Sequence, residues 1–205
     1  MIVDEQLIQR TKGFLDADEG RGLYQLALAA GTRGPCLEIG SYCGKSALYL
    51  GAALKSVNGT LFSIDHHRGS EEQQPGEQYF DPELLDTLTG KIDTFRPFRE
   101  TLALGGLEDT VVPIVSRSDV VAREWATPLS LIFIDGGHAY ETVLADYENW
   151  ADHLMPEGYL LFHDIFPDPQ DGGQAPYLVF QRAIESGRYR QMPMIKTLGV
   201  LQRIA

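Results

Sequence analysis

Four acids and four of the five histidines in this chain stand near, at or just after the ends of short apolar runs. Glu38 falls within Cys36-Leu37-Glu38-Ile39, and Asp65 follows Leu61-Phe62-Ser63-Ile64, with His66 and His67 after it. Asp135 closes Leu131-Ile132-Phe133-Ile134 and leads into Gly136-Gly137-His138, while His163-Asp164 closes Tyr159-Leu160-Leu161-Phe162. Carboxylates and imidazoles gathered in one place can hold a divalent cation, move a proton, or both. A second kind of chemistry is written into Glu38-Ile39-Gly40-Ser41-Tyr42-Cys43-Gly44-Lys45-Ser46. A glycine turn between an apolar strand and a helix lets backbone approach a ligand and presents free N–H groups. Its E-x-G-x-x-x-G spacing is longer than the G-x-G-x-x-G that cradles a pyrophosphate, so a nucleotide-like cofactor without a pyrophosphate is expected. Group transfer is the reaction class indicated. A nicotinamide-dependent oxidoreductase is the alternative from another class, and a binding module without chemistry is a second.

For these residues to meet, the apolar runs must be parallel strands of one sheet, whose ligands sit beyond the strands' carboxyl ends. Strands are expected at 36–39, 61–64, 111–115, 129–134 and 159–162, with helices at 4–15, 19–30, 45–54, 83–104, 140–154 and 177–186. Strand and helix alternate, which implies a parallel sheet covered on both faces. Residues 189–195 and 197–203 alternate weakly about Thr197-Leu198-Gly199 and suggest a closing antiparallel pair. Residues 66–82 are polar and poor in apolar anchors, and read as a mobile lid, with Glu71 and Glu72 on a solvated face.

The 205 residues suit one domain spanning 1–205, with enough apolar content (43%) to bury a core without disulfides. A formal net charge of -12 disfavours nucleic acid and anionic membrane surfaces as partners. The two cysteines, Cys36 and Cys43, form no C-x-x-C pair and read as small buried thiols. No leader pattern and no long apolar run is apparent, so a reducing, cytoplasmic setting is expected. A homodimer is compatible with the sequence.

The chain resembles class I S-adenosylmethionine-dependent methyltransferases over roughly residues 20–203. The resemblance rests on Glu38-Ile39-Gly40-Ser41-Tyr42-Cys43-Gly44, Asp65, Asp135-Gly136-Gly137-His138, Gly158 and His163-Asp164. The last three match the subgroup called methyltransferase family 24, whose relatives include metal-dependent sugar O-methyltransferases. It implies a three-layer α/β Rossmann-like sandwich with a mostly parallel seven-stranded sheet and a reversed final hairpin. It also implies S-adenosylmethionine as cofactor, with Glu38, Gly40, Ser41, Gly44 and Ser46 around its methionine part. Asp65 would hold the ribose with His66 beside it, and the stretch from Ser116 through Ser118 to Asp119 would flank the adenine, with Asp135 also bordering the cofactor.

Asp135 and His163-Asp164 end strands that would be neighbours, about 5 Å apart, so they can converge on one Mg²⁺ or Mn²⁺. His163 is either a ligand of that cation or the residue that orients one. His138 is the candidate base, since a hydroxyl becomes a good nucleophile only when its proton is removed and histidine titrates in the useful range. The expected acceptor is a small polar molecule, a sugar or oligosaccharide, with a catechol-type phenol as the rival. Tyr79, Phe80, Phe95 and Phe98 are expected to pack in core or lid rather than to line its pocket.

Overall fold

The computed structural model describes residues 4–204. In chain order the elements are α1 (Glu5–Arg10), α2 (Ala17–Ala30), β1 (Cys36–Ile39), α3 (Lys45–Ser56), β2 (Leu61–Asp65), β3 (Leu85–Asp86), β4 (Lys91–Ile92) and α4 (Phe95–Gly105). They continue as β5 (Val111–Val115), α5 (Ser118–Ala122), β6 (Leu129–Ile134), α6 (Tyr140–Trp150), β7 (Leu154–Phe162), α7 (Ala175–Glu185), β8 (Tyr189–Gln191) and β9 (Gly199–Arg203). Strands β1 and β6 are buried at every position, as strands covered on both faces must be.

Seven strands form one sheet in the order β5-β2-β1-β6-β7-β9-β8. The first five run parallel, and β9 pairs antiparallel with both β7 and β8, which is the expected reversed hairpin. Register brings the chemistry to one level. Ile39 pairs with Ile64 on one side and Ile134 on the other, and Ile134 pairs with Phe162. The next residue on each strand, Gly40, Asp65, Asp135 and His163, therefore stands at the same edge of the sheet.

Period-two alternation divides the core. Leu131 and Phe133 face the layer built by α2, α3 and α4, with Leu23, Leu50, Leu54 and Phe98. Ile132 and Ile134 face α6 and α7, where Trp150, Phe162 and Phe180 pack. The expected three-layer sandwich is the observed one.

Several stretches differ from the expectation. Helix α6 stops at Trp150, β7 starts at Leu154 rather than at residue 159, and α5 has no counterpart among the expected helices. Helix 4–15 stops at Arg10, where Thr11 caps it by donating its hydroxyl to the Leu7 carbonyl, and residues 11–15 run on as an extended strap. Helix 83–104 begins only at Phe95. Asp86 instead accepts from the Leu88 N–H and the Thr89 hydroxyl, and this local turn competes with helix and folds β3 back onto β4. Pro97 falls in the first turn of α4, where its missing N–H costs nothing. Residues 66–82 are not an unanchored loop: they carry a short 3₁₀ turn at Glu71–Gln73 and dock onto the body of the protein through His67.

Candidate active site

A cleft of about 450 Å³ opens at the carboxyl edge of the sheet. That volume suits a ligand of cofactor size. Of the sequence-predicted residues, Gly40, Ser41, Ser46, Asp65, His66, Asp135, His138, His163 and Asp164 line it. The strap (Lys12, Gly13, Phe14, Leu15), which the sequence did not announce, and the 66–82 loop read as a lid (Glu72, Tyr79) supply further walls. They meet across the mouth: Lys12 pairs with Asp81 and Glu83, and the Phe14 and Tyr79 rings sit edge to face 5.3 Å apart.

The turn after β1 is held from below by Asp65. Its Oδ2 accepts the Ser41 and Tyr42 N–H groups at 3.0 and 2.9 Å, and its Oδ1 accepts the His67 N–H at 2.7 Å. The glycines here answer to backbone as much as to ligand. Gly40 has φ +87°, and a Cβ on it would lie 2.2 Å from the Asp135 carbonyl oxygen. Gly44, at φ +91°, faces Phe98 and Thr101 of α4 rather than the cleft. Gly40→Ala is therefore expected to lower unfolding free energy by about 2–4 kcal/mol, through left-handed strain plus a clash between two backbones. Urea denaturation measures it, and an unchanged midpoint would show that the two turns can part freely.

The chemistry gathers one strand over. Asp135, His138 and Asp164 each offer an atom within 4.8 Å of the others'. His138 Nε2 donates to Asp164 Oδ2 and Nδ1 to Glu72 Oε2, each at 2.9 Å. The Asp164 bond is the stronger influence; with the Glu72 bond it outweighs burial and lifts the imidazole to about 9. Asp164 is half-buried, which raises a carboxyl, yet its bonds from His138 and His163 hold it well below the usual range. It occupies the left-handed region (φ +56°), a conformation that costs a non-glycine residue about 1–2 kcal/mol. Such strain is common where side-chain placement matters more than backbone comfort.

His163 settles behind the cluster. It is 6% exposed, with Nε2 donating to Glu19 Oε2 at 3.0 Å and Nδ1 to Asp135 Oδ1 at 3.2 Å. With a carboxylate at each nitrogen, its geometry is that of a residue that orients the cluster, the second of the two roles open to His163. Burial works against its charge, but Asp135, Asp164 and Glu19 hold the proton on firmly. Glu19, likewise buried, is brought down to about 2 by His163 and Thr197.

Four predicted cofactor residues lie elsewhere. Gly44 turns toward α4 as described. Glu38 is fully buried beneath the turn, accepting from Ser46 Oγ at 2.8 Å and Ser63 Oγ at 2.6 Å. Ser118 faces α6, where it accepts from Trp150 Nε1, and Ser116 meets Asp65 only through backbone, so neither lines the cleft. His67 packs against Phe95 and Phe98 with Nδ1 on Thr94 Oγ1, and is core rather than cleft.

Glu38 has a measurable signature. Burial raises its carboxyl from 4.5 to about 7, against the opposing pull of its two serine bonds. The unfolded chain loses that proton earlier than the folded one, so stability from this site falls as pH rises from 4.5 towards 7. Glu38→Gln removes the titration. Its stability relative to the parent should climb across that window by on the order of 3 kcal/mol, read from thermal midpoints against pH. A pH-independent difference would mean that Glu38 ionises normally.

Glu19, Glu72 and the strap were missed by sequence reasoning. Glu19 stands three residues after the N-cap Asp16, where it reads simply as the second half of a capping box. Glu72 looked like one more solvated acid in a polar loop. No local pattern marks either one, since their partners lie 144 and 66 residues away. Among the described residues no helix is long and apolar enough to cross a membrane.

Known proteins share this family signature and this fold. The sequence model of a family described as a methyltransferase domain matches residues 37–165. An O-methyltransferase from Bacillus cereus in complex with SAH superposes with a TM-score of 0.66 at 15% identity, over 100% of this chain and 93% of that one. The O-methyltransferase TomG from Streptomyces achromogenes, involved in tomaymycin synthesis and in complex with SAM, gives 0.65 at 17% identity, over 100% and 93%. SAH-bound methyltransferase PaMTH1 of Podospora anserina gives 0.61 at 16%, over 98% and 93%. Among curated proteins, the uncharacterized y4gI of Sinorhizobium fredii is 47% identical over 36 residues, which is 18% of this chain and 4% of that protein.

Proposed function

This chain belongs to the methyltransferase-domain family and has the fold of O-methyltransferases, and from that premise we propose that it moves a methyl group from S-adenosylmethionine to a hydroxyl with the help of a divalent cation. The observation that carries the proposal is the cluster of Asp135, His138 and Asp164 in the cleft, one strand from the glycine turn. The donor lies along Gly40, Ser41 and Asp65, with the Asp65 carboxylate and His66 at its ribose end.

The residues present fit a cation. Two carboxylates suit Mg²⁺ or Mn²⁺, and an adjacent imidazole is better tolerated by Mn²⁺. A divalent cation on Asp135 and Asp164 would lower the pKa of the acceptor hydroxyl and compete with the His138 proton for Asp164. The protein's own work is positional. Glu72 holds Nδ1 of His138 and so aims Nε2 into the cluster; with Asp164 drawn onto a cation the ring would release its Nε2 proton and could then serve as the acceptor's base. Asp135 is steadied by His163 behind it. The strap and the 66–82 loop meet across the cleft mouth and would help align donor methyl with acceptor oxygen.

The acceptor we propose is a sugar or oligosaccharide. The cleft walls carry Asp65, Glu72, Asp135, Asp164 and Asp171. Its two lysines are engaged: Lys12 with Asp81 and Glu83, Lys45 with the Gly13 carbonyl. Such a wall repels a polyanionic acceptor and suits a neutral polyol. The exposed Phe14 and Tyr79 rings favour a second reading, a catechol-type phenol that would stack on them. Transfer of labelled methyl from S-adenosylmethionine to a panel of mannosides, glucosides and catechols tests both. Label on glycosides supports the first, and label on catechols alone overturns it. No label on any hydroxyl with the donor bound would remove O-methyl transfer.

A further inference from the structure

Glu19 sits in the first turn of α2, far from the cleft in sequence, yet its side chain is only 3% exposed and one of its contacts leads directly to the site. Oε1 accepts the Thr197 N–H at 2.8 Å and the Thr197 hydroxyl at 2.6 Å. Oε2 accepts from His163 Nε2 at 3.0 Å and from the Asp16 N–H at 3.1 Å. The far side of the same imidazole reaches Asp135 Oδ1 at 3.2 Å and Asp164 Oδ2 at 3.4 Å. One rigid ring therefore separates Glu19 from both acids of the cluster.

Capping α2 does not require this arrangement. A capping box needs Glu19 to meet only the Asp16 N–H, from an exposed position on the helix end. Burying a carboxylate is costly unless it is fully bonded, and here the cap N–H, one ring and one threonine together satisfy it. Asp135 stands at a strand end with 24% of its side chain exposed, and His163 Nδ1, 3.2 Å from its Oδ1, is the contact that fixes its direction. Asp164 depends on the same ring while its own backbone is left-handed.

We propose that Glu19 is a positioning residue for the cation site: through His163 it holds Asp135 and Asp164 at the spacing a divalent ion requires. The proposal rests on the metal reading given above. Partners one step behind metal ligands commonly govern affinity by 10–100-fold.

The test compares Glu19→Gln and Thr197→Val with the parent. Gln keeps shape and the helix cap but places an amide against the ring, whereas Thr197→Val loosens the same seam while leaving the His163 bond intact. Mn²⁺ binding is followed by the electron paramagnetic resonance of the free ion, and S-adenosylhomocysteine binding by calorimetry. Glu19→Gln is expected to raise the Mn²⁺ dissociation constant at least about tenfold, with S-adenosylhomocysteine affinity within about twofold and Thr197→Val near the parent in both. Unchanged Mn²⁺ affinity in Glu19→Gln, or an equal loss in Thr197→Val, overturns the proposal. Should the parent itself take up no Mn²⁺, the metal reading falls, and a crystal structure of Glu19→Gln judges Glu19 separately. A turned His163 and an Asp135 carboxylate displaced by about 1 Å would support the positioning role, and superposable side chains would overturn it.

Discussion

Asp135→Asn is expected to lower kcat by about three orders of magnitude, while S-adenosylmethionine affinity changes less than about threefold. A thousandfold loss corresponds to about 4 kcal/mol of transition-state stabilisation, a reasonable size for removing charge aimed at the reacting oxygen. The amide fills the same space at the end of β6, so the cleft wall survives. His163 keeps Glu19 and Asp164 as partners, so the fold should hold, with the thermal midpoint down by only a few degrees. Steady-state kinetics with calorimetric donor binding separates the effects. Equal losses in donor affinity and turnover would mean that Asp135 serves the cofactor alone, and an unchanged kcat would remove it from the chemistry.

Exhaustive chelation is expected to produce a loss of similar size without any substitution. Turnover should fall to background in excess EDTA and return on adding Mn²⁺ or Mg²⁺, with Mn²⁺ effective at the lower concentration because an imidazole borders the site. Donor binding should persist throughout, since the glycine turn and Asp65 are built from backbone contacts that involve no cation. Full activity in chelator would leave the His138–Glu72 pair as the source of catalysis and Asp164 as its orienting partner.

What the sequence discloses and what it hides divide along a physical line. Strand ends are legible because a buried parallel strand is apolar over most of its length, so the polar residue that follows its last apolar one marks the sheet edge. Asp65, Asp135 and His163-Asp164 were readable on that ground, and register then set them level. The reversed β9 was weak in alternation and came through the resemblance. Residues 83–104 misled because Leu84, Leu85, Leu88 and Ile92 keep helical spacing. An Asp86 turn nevertheless folds the segment into a short β pair and leaves Leu88 95% exposed. Roles within the site were less visible than membership. Nothing local distinguishes a histidine that binds a cation from one that braces a ligand. The difference lies in Glu19, 144 residues away, which takes the free nitrogen of His163. Glu72 was hidden likewise, its purpose visible only once the loop folds over His138.

An anomalous difference map at the manganese edge, from a crystal grown with S-adenosylhomocysteine and Mn²⁺, puts the cation question to the molecule itself. A single strong peak is predicted between the Asp135 and Asp164 carboxylates, about 2–2.6 Å from an oxygen of each, with the donor product lying along Gly40 and Asp65. A well-ordered S-adenosylhomocysteine with no peak at that cluster would contradict it.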